Sequence, residues 1–361
     1  MGVLRLEKLS IITFLLMMIL NSCNEKTIKH NLGELDMAQS VFLTEPEIVV
    51  EGLVSTPSDI ISSDTLVIFC DRRSKDMIQV YSENGQFITG LLQNGRGPGE
   101  STNILKISNG VNHSIYATVA NETVLVYDLK EVMEGNAQPD NIIALPNGCY
   151  AFSSIALLDS SLFYVGKNIP NIGANQTLYC LYDLKSEEMA YFGFLPEEDT
   201  NTDNYPVKDN TVHTIYQGEP LSRPDNKKVI VPFYYSVGFE IVDVLDKKVD
   251  ISKFYTMPDV DIITLPEFGV NAVKRKESSE VGFLDVKCTQ DYFYLLFSGK
   301  QFGNPTYNQG NYILKYDWNG NLKVKYELDW NISSFCLNRG NDALICVGED
   351  ENGSNIIRYK L

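Results

Sequence analysis

From Val41 onward, hydrophobic residues occur in short runs rich in β-branched and aromatic side chains, and Gly, Asn and Asp separate these runs. No stretch of useful length repeats its apolar residues at the three-to-four-residue spacing of an amphipathic helix. Short apolar runs bounded by turn residues are typical of β-strands. The pattern therefore predicts an all-β fold.

A phrase recurs along this region, in which an apolar strand ends in Tyr, or once in Val, and a polar turn follows. Its anchor residues are Tyr81, Tyr127, Tyr182, Val242, Tyr316 and Tyr359. The intervals between successive anchors run from 43 to 74 residues. This spacing suits a repeat of four antiparallel strands with loops of varying length, which is the size of a propeller blade.

The last of the six units has room for only three strands before Leu361. The segment VFLTEPEIVVEG, residues 41–52, lies ahead of the first unit and supplies a spare strand. A ring closed by this strand has no exposed edge at the junction. We therefore predict one domain over residues 41–361, a six-bladed β-propeller closed by an N-terminal strand. A β-sandwich or two smaller β domains is the alternative, because the anchor is degenerate and its intervals are uneven.

The first 22 residues have the order of a signal peptide. Arg5 and Lys8 precede an apolar run from Leu9 to Leu20, which is too short to span a bilayer as a permanent helix. The following Asn21-Ser22-Cys23 resembles the end of the bacterial lipobox, and this resemblance implies cleavage before Cys23 and acylation of its thiol. An ordinary secretory signal and an uncleaved anchor are the alternatives. Residues 23–40 are predicted to form a lipidated tether of semi-flexible coil.

Composition narrows the classes of function. The chain has 30 basic and 47 acidic residues, a formal net charge of −17, which argues against nucleic-acid binding because phosphate needs basic surface. Attachment to a membrane is expected through the lipid and not through the acidic fold. With three histidines and no Cys/His cluster, the sequence predicts no metal site, and no cofactor is expected.

A glycine-rich segment follows the outermost predicted strand of the first unit. It reads Gly95-Arg96-Gly97-Pro98-Gly99-Glu100. Following a lipobox and a tether, it resembles the TolB-like six-bladed propeller lipoproteins common in Bacteroides-type bacteria, which are similar to NHL-type propellers. The resemblance implies a fold and a location in the cell envelope rather than a reaction. Ser101 departs from the family, in which Phe or Tyr often follows the Glu.

Two interpretations of this segment stay open. Glycines and proline are ordinary turn residues, so the segment is first interpreted as a connection between blades that needs those backbone angles. Connections from an outer to an inner strand lie on one face of a propeller, so residues 95–100 are also a candidate loop at the channel mouth. There Arg96 or Glu100 would contact a ligand.

The remaining candidates have structural interpretations. The six cysteines after Cys23 lie in or beside apolar strands and are interpreted as small buried hydrophobes rather than disulfides. His113 and His213 are interpreted as surface loop residues. Residues 197–203 begin like a calcium loop but lack its Gly and its closing Glu, so we interpret them as a solvated acidic turn.

Two classes of function remain. The favoured one is a lipid-anchored envelope protein, at the outer membrane and facing the periplasm, whose propeller binds a protein, peptide or glycan. The alternative is an envelope enzyme, a hydrolase or lyase acting on glycans, with its site at the channel mouth. The enzyme needs two or three carboxylates, or His with Tyr or Arg, converging there.

Overall fold

The structure is a computed structural model that describes most of the chain from Ile28 to Leu361. The described residues are 28–29, 33–36, 38–53, 57–97, 100–110, 113–119, 123–145, 155–166, 169, 177–194, 211–265, 270–351 and 353–361. The signal segment, Cys23, Cys149, Pro98, Gly99 and the acidic turn at 197–203 lie outside these residues.

The first three blades are four-stranded antiparallel sheets whose strands follow chain order from the inside of the ring to the outside. Blade 1 contains β4 (Ile60–Ser63), β5 (Leu66–Cys70), β6 (Asp76–Ser82) and β7 (Phe87–Gln93). Blade 2 contains β8 (Ile104–Asn109), β9 (Ser114–Val119), β10 (Thr123–Asp128) and β11 (Asn141–Ala144). Blade 3 contains β12 (Ile155–Leu157), β13 (Ser161–Val165), β14 (Thr177–Asp183) and β15 (Met189–Phe194).

Blade 4 contains β16 (Leu221–Ser222), β17 (Lys228–Pro232), β18 (Gly238–Asp243) and β19 (Lys248–Phe254). A separate hairpin, β20 (Val260–Leu265) and β21 (Val270–Arg275), lies in the connection from blade 4 to blade 5. Two short helices, α2 (Leu129–Met133) and α3 (Thr211–Ile215), lie in connections of blade 2 and between blades 3 and 4.

Blades 5 and 6 share one long strand and therefore form a single eight-stranded sheet. Seven of its strands lie side by side: β22 (Phe283–Cys288), β23 (Tyr292–Phe297), β24 (Gly310–Asp317), β25 (Leu322–Leu337), β26 (Ala343–Asp350), β27 (Gly353–Lys360) and β3 (Glu47–Leu53). The eighth, β2 (Ser40–Leu43), pairs with β25. The first part of β25 pairs with β24 as the outer strand of blade 5. Its second part, from Ile332 to Leu337, pairs with β26 as the inner strand of blade 6. In the described residues, these strands make six blades.

Hydrophobic cores between neighbouring blades close the ring. The described residues form six core clusters, and each joins two adjacent blades. The cluster between blades 6 and 1 packs Ile60 and Phe69 against Ile345 and Ile356. Burial of apolar surface on both faces of every blade thus replaces a single central core. The predicted all-β propeller is confirmed, and a β-sandwich is wrong for this chain.

The spare N-terminal strand closes the last blade, as the sequence predicts. Strand β3 pairs antiparallel with β27, with Ile48 opposite Ile357 and Leu53 opposite Ser354. It therefore takes the outer position that the three strands of blade 6 leave open. The earlier part of the segment behaves differently, because β2 (Ser40–Leu43) pairs in parallel with the blade 5 part of β25.

The predicted tether contains ordered elements next to blades 4 and 5. Strand β1 (Ile28–Lys29) pairs in parallel with the end of β19, and helix α1 (Gly33–Asp36) follows it. Leu35 is only 4% exposed and packs in the core between blades 4 and 5. Semi-flexible coil is therefore wrong for these described residues.

The Tyr and Val anchors all lie on the third strand of their blades. Tyr127, Val242 and Tyr316 are fully buried, and Tyr359 is nearly so. Tyr81 and Tyr182 are half-buried. The anchor therefore marks a strand between two neighbours in every blade, where a large side chain fills the space between blades.

The described cysteines are thiols and form no disulfide with one another. Cys336 and Cys346 lie on adjacent strands of blade 6, but Cys336 pairs with Ile345 and Cys346 pairs with Phe335. The two thiols consequently enter different cores, one facing blade 1 and the other facing blade 5. Burial as small hydrophobes is the correct interpretation for four of these residues: Cys70, Cys180, Cys336 and Cys346.

The two histidines of the ring have different environments. His113 is exposed in the turn between β8 and β9, as expected. His213 is 7% exposed on α3, so a surface position is wrong for this residue. Its helix packs close to blade 3, where a Cβ at position 166 would collide with the carbonyl oxygen of His213.

Removal of β3 is predicted to destabilise the ring far more than removal of the segment before it. A chain that begins at residue 54 leaves the edge of β27 unpaired and exposes apolar residues of the core between blades 6 and 1. A chain that begins at residue 38 keeps β2 and β3 and loses the buried side chain of Leu35, a loss of about 2–3 kcal/mol. Thermal melting followed by circular dichroism compares the two truncations. Equal melting temperatures would contradict closure by β3.

Candidate functional site

A cavity of about 560 Å³ lies on the axis of the ring. Residues from the inner strands of all six blades line it, including Ile61, Ile107, Ile155, Leu221, Val286 and Cys336. The cavity is bounded by the last residues of these strands and by the turns that follow several of them. It therefore opens at the end of the ring where inner strands turn into second strands.

The mouth of the cavity is rich in amide and hydroxyl side chains. The polar residues that line it include Ser62, Ser108, Asn109, Asn226, Asn338 and Asn341. The Asn226 amide donates to Asp159 Oδ1 at 2.7 Å, and the Asn109 amide donates to the Ser62 carbonyl at 3.1 Å. These bonds hold amide groups from several blades in place at the opening, where they can bond a polar ligand.

Three polar side chains, those of Asp64, His113 and Arg339, converge at the rim from the corresponding turns of three blades. His113 Nδ1 lies 2.9 Å from Asp64 Oδ2, and Arg339 Nη1 lies 3.2 Å from Asp64 Oδ1. The side chains of His113 and Arg339 are 70% and 71% exposed. Because one carboxylate holds both groups, an imidazole and a guanidinium face solvent side by side at the cavity opening.

Four of these turns place a non-glycine residue in the left-handed region of backbone conformation. The residues are Asp64, His113, Asn226 and Asn341, with φ between 54° and 59°. Asn, Asp and His tolerate this conformation better than most residues with a side chain. The sequence thus keeps a polar side chain at each position where glycine would relieve backbone strain.

A cluster of buried charges underlies the cavity. Lys287 Nζ lies 2.8 Å from Asp59 Oδ1 and 3.1 Å from Asp285 Oδ1. Asp59 comes just before the inner strand of blade 1, whereas Asp285 and Lys287 belong to the inner strand of blade 5. The ammonium therefore joins two blades that are not neighbours, across the axis of the ring.

The two carboxylates also bind groups of the blades beside them. Asp59 Oδ2 accepts from the backbone N–H of Ile107 at 3.0 Å. Asp285 Oδ2 accepts from Ser334 Oγ at 2.6 Å and from the backbone N–H of Phe335 at 3.1 Å. Inner strands of blades 1, 2, 5 and 6 thus share one hydrogen-bonded network.

A second buried ammonium joins blade 2 to blade 4. Lys106 Nζ lies 3.0 Å from Glu219 Oε1 and donates to the carbonyl of Pro220 at 3.0 Å. Both lysines that line the cavity are therefore engaged within the protein. The groups at this cavity that could bond a ligand are therefore the amides, the hydroxyls and the rim rather than these ammonium groups.

Burial shapes the acid–base properties of this region. Burial raises the pKa of Asp285 to about 6, although Lys287 beside it opposes that rise. Burial alone would lower the pKa of Lys287, but the carboxylates of Asp285 and Asp59 outweigh it and raise that pKa. Burial raises the pKa of the Cys288 thiol to about 12, and the thiol donates to the Ser222 carbonyl. Cys288 is therefore protonated at neutral pH and unsuited to nucleophilic chemistry.

The described residues of the glycine-rich segment, 95–97 and Glu100, lie in the connection from β7 to β8. Glu100 Oε2 accepts from the backbone N–H of Gly97 at 2.7 Å, and a Cβ at position 95 would collide with the Glu100 carboxylate. Arg96 is exposed and has no hydrogen bond to a described residue. Close approach of Glu100, rather than a positive φ, explains Gly95.

This connection reaches β8 at its first residues, whereas the cavity is lined by the last residues of β8 and the turn after them. Residues 95–97 and Glu100 therefore lie toward the other end of the inner strands. A role of Arg96 or Glu100 in contacting a ligand stays a prediction.

Asp59, Asp285 and Lys287 are not among the candidate residues predicted from the sequence, although the sequence carries a signal for this cluster. The inner strand FLDVKC places Asp285 and Lys287 two residues apart, on one face of a strand where a propeller core is otherwise apolar. The partner Asp59 is 226 positions away from Asp285, so pattern alone does not identify it. Within the described residues, no three His, Cys, Asp or Glu side chains are grouped as metal ligands.

A family model described as TolB-like 6-blade propeller-like matches residues 34–339. Among solved structures, an exported-protein structure from Bacteroides fragilis NCTC 9343 aligns with a TM-score of 0.52 and 12% identity, covering 89% of this chain and 99% of that chain. The WD40 repeats of RRP9 align with a TM-score of 0.48 and 10% identity, covering 88% of this chain and 100% of theirs. U3-55K aligns with a TM-score of 0.49 and 10% identity, covering 88% of this chain and 98% of its own.

The similarity to the Bacteroides fragilis structure supports the fold alone. The other two alignments have TM-scores below 0.5, and we infer nothing from them. No curated protein matches the chain. Among the helices that the structure describes, none has the length and apolar character needed to cross a membrane.

The raised pKa of Asp285 predicts a specific pH dependence of stability. Its value of about 6 in the folded protein exceeds the ordinary 3.8, so the folded state favours the protonated acid. The stabilising contribution of Asp285 to the free energy of unfolding is therefore largest below about pH 4. It falls as the pH rises toward 6 and is constant above that. The difference in free energy of unfolding between the wild type and Asp285→Asn should fall by roughly 3 kcal/mol across this window. Urea unfolding at a series of pH values measures it.

Asp246→Asn is the matched control, because Asp246 lies at the surface with its side chain 62% exposed. A difference between Asp285→Asn and the wild type that stays constant or grows from pH 4 to 6 would contradict the assignment.

Proposed function

We propose that this chain, which belongs to the TolB-like six-bladed propeller family, is a lipid-anchored binding module of the bacterial cell envelope. Its propeller would receive a glycan, peptide or protein segment at the axial cavity. Its location would be the outer membrane, on the periplasmic side. A propeller is a scaffold that hosts many functions, so the proposal rests on the site and not on the fold.

The cavity mouth is the observation that carries this proposal. Amides and hydroxyls from several blades surround the opening, and both lining lysines already have partners within the protein. Neutral polar groups that donate and accept hydrogen bonds match the hydroxyls of a sugar or the backbone of a peptide. The lined volume of about 560 Å³ is within the range of small-ligand sites.

The proposed anchor would hold the propeller near the lipid surface. Cys23 would carry the acyl chains, and Ile28 is the first described residue that pairs with the ring. Five residues of extended chain span at most about 17 Å. The rim of blade 4, where β1 pairs with β19, would therefore face the membrane closely, in contrast to a domain on a long tether.

Blocking the cavity tests the binding proposal. Asn109 is exposed at the mouth, so Asn109→Trp should fill the opening without disturbing a core. Asn136→Trp, at an exposed position after α2, is the matched control. Screening of a glycan and peptide array with the wild-type protein identifies ligands, and titration calorimetry then compares the variants. We expect Asn109→Trp to weaken binding at least tenfold and the control to bind within twofold of wild type.

Loss of binding in both variants, or in neither, would contradict a site in the cavity. Melting temperatures of both variants check that folding is preserved, so an inactive fold is not mistaken for a blocked site.

The alternative is an envelope enzyme acting on glycans, and the rim cluster is the observation that favours it. Asp64 orients His113 through Nδ1, which leaves Nε2 to act as a general base, and Arg339 lies beside it. A base next to a guanidinium suits proton abstraction beside a carboxylate, the chemistry of a lyase. Product release from an array glycan that is lost in His113→Gln would identify this alternative. Stable binding without turnover would exclude it for that glycan.

The anchor has its own test. Cys23→Ala should move the protein from the membrane fraction to the soluble fraction, because acylation needs the thiol. A variant that remained membrane-bound after a high-salt wash would contradict the lipid anchor. Cys70→Ala is the control, because its buried thiol is unavailable for acylation.

A further inference from the structure

A second site lies at the end of the ring opposite the cavity, where blade 4 connects to blade 5. Arg275 ends β21, and its guanidinium lies between two aromatic rings. Its Cζ is 5.2 Å from the centre of the Tyr235 ring and 5.4 Å from that of Phe302. Tyr307 packs on Phe302 with ring centres 4.6 Å apart. These rings come from the turns between the second and third strands of blades 4 and 5.

Hydrogen bonds join the blade 5 turn, which carries Phe302, to the segments on either side of the β20–β21 hairpin. The turn of blade 5 pairs with the segment after β21, because Phe302 N–H donates to Ser279 and Gly303 N–H donates to Glu277. Ser279 Oγ in turn donates to the carbonyl of Asp259, just before β20. These bonds hold the turn that carries Phe302 against the segment that directly follows Arg275.

Among the residues that the structure describes, the guanidinium of Arg275 has no anionic partner and makes no hydrogen bond and no ion pair, although the chain carries 47 acidic residues. Its neighbours differ: Lys276 pairs with Asp259, and Lys274 lies opposite Asp261 in the hairpin. Burial lowers the pKa of Arg275, and the titratable neighbours that oppose this lowering are the phenols of Tyr235 and Tyr307 rather than carboxylates.

The rings flank the guanidinium, and its edge carries the five N–H donors. A planar fork of this kind matches the two oxygens of a carboxylate or phosphate, and burial strengthens such a charge-assisted bond. A ligand with an oxyanion would supply the anionic partner that Arg275 lacks among the described residues.

We propose that Arg275, clamped between Tyr235 and Phe302, is an oxyanion-binding site for a carboxylate or phosphate group. The Tyr235 and Tyr307 hydroxyls are further donors to the same group. This site is separate from the axial cavity, so it does not depend on the binding function proposed for that cavity. A purely structural role, with the guanidinium only holding the hairpin against blades 4 and 5, is the competing explanation.

Anion titration separates the two explanations. The probes are inorganic phosphate and succinate at millimolar concentration, with ionic strength balanced by chloride, added to the full mature chain. Titration calorimetry should detect binding of at least one probe to the wild type. Arg275→Gln should abolish it, and Arg275→Lys, which keeps the charge but not the planar fork, should weaken it at least tenfold. Lys274→Gln removes a neighbouring charge and should bind within twofold of wild type.

Each outcome either supports the oxyanion site or overturns it. Binding of phosphate alone or succinate alone assigns the oxyanion class. Absence of both, retention of binding in Arg275→Gln, or an equal loss in Lys274→Gln would overturn the proposal in favour of a structural role or a diffuse charge effect. If Arg275→Gln does not fold, the comparison of Arg275→Lys with Lys274→Gln carries the test.

Discussion

The packing of the inner strands at the centre of the ring depends on one buried ammonium group, that of Lys287. Lys287 lies between Asp59 and Asp285, and the two carboxylates bind strands of blades 2 and 6 as well. A charge in this position is costly to bury alone, so the three groups stabilise the fold only as a set. Because they come from distant parts of the chain, the set forms only when the ring is closed.

The chemistry of the cavity follows from this arrangement. With Lys287 and Lys106 engaged by internal partners, the groups left for a ligand are amides, hydroxyls and the exposed rim of Asp64, His113 and Arg339. The interior is therefore held by internal ion pairs, whereas the turns at the mouth carry exposed polar side chains. Propellers commonly divide their roles in this manner, with a rigid ring that positions loops. The opposite end of the ring carries a different chemistry, the guanidinium of Arg275 beside two aromatic rings.

Much of the architecture was readable in the sequence because strand signals are local. The anchor tyrosines mark the third strand of each blade, since a large side chain between two paired strands recurs once per repeat. The closing strand was predictable from the count of strands in the last unit. The parallel pairing of β2, the burial of Leu35 and the burial of His213 were not, because each depends on a partner distant in sequence. The ion cluster was missed for the same reason, although Asp285 and Lys287 on one strand face gave a partial signal.

The central claim is that these buried charges act as a set, and variants of Lys287 test it most directly. Chemical denaturation at neutral pH gives the free energy of unfolding for Lys287→Met and for a triple variant that adds Asp59→Asn and Asp285→Asn. We predict that Lys287→Met loses about 3–5 kcal/mol, because Asp59 and Asp285 lose their counter-charge and must either stay ionised without a partner or take up a proton to remain buried. The triple variant should recover most of this loss. A loss below about 1 kcal/mol for Lys287→Met, or a triple variant that is less stable still, would contradict the account.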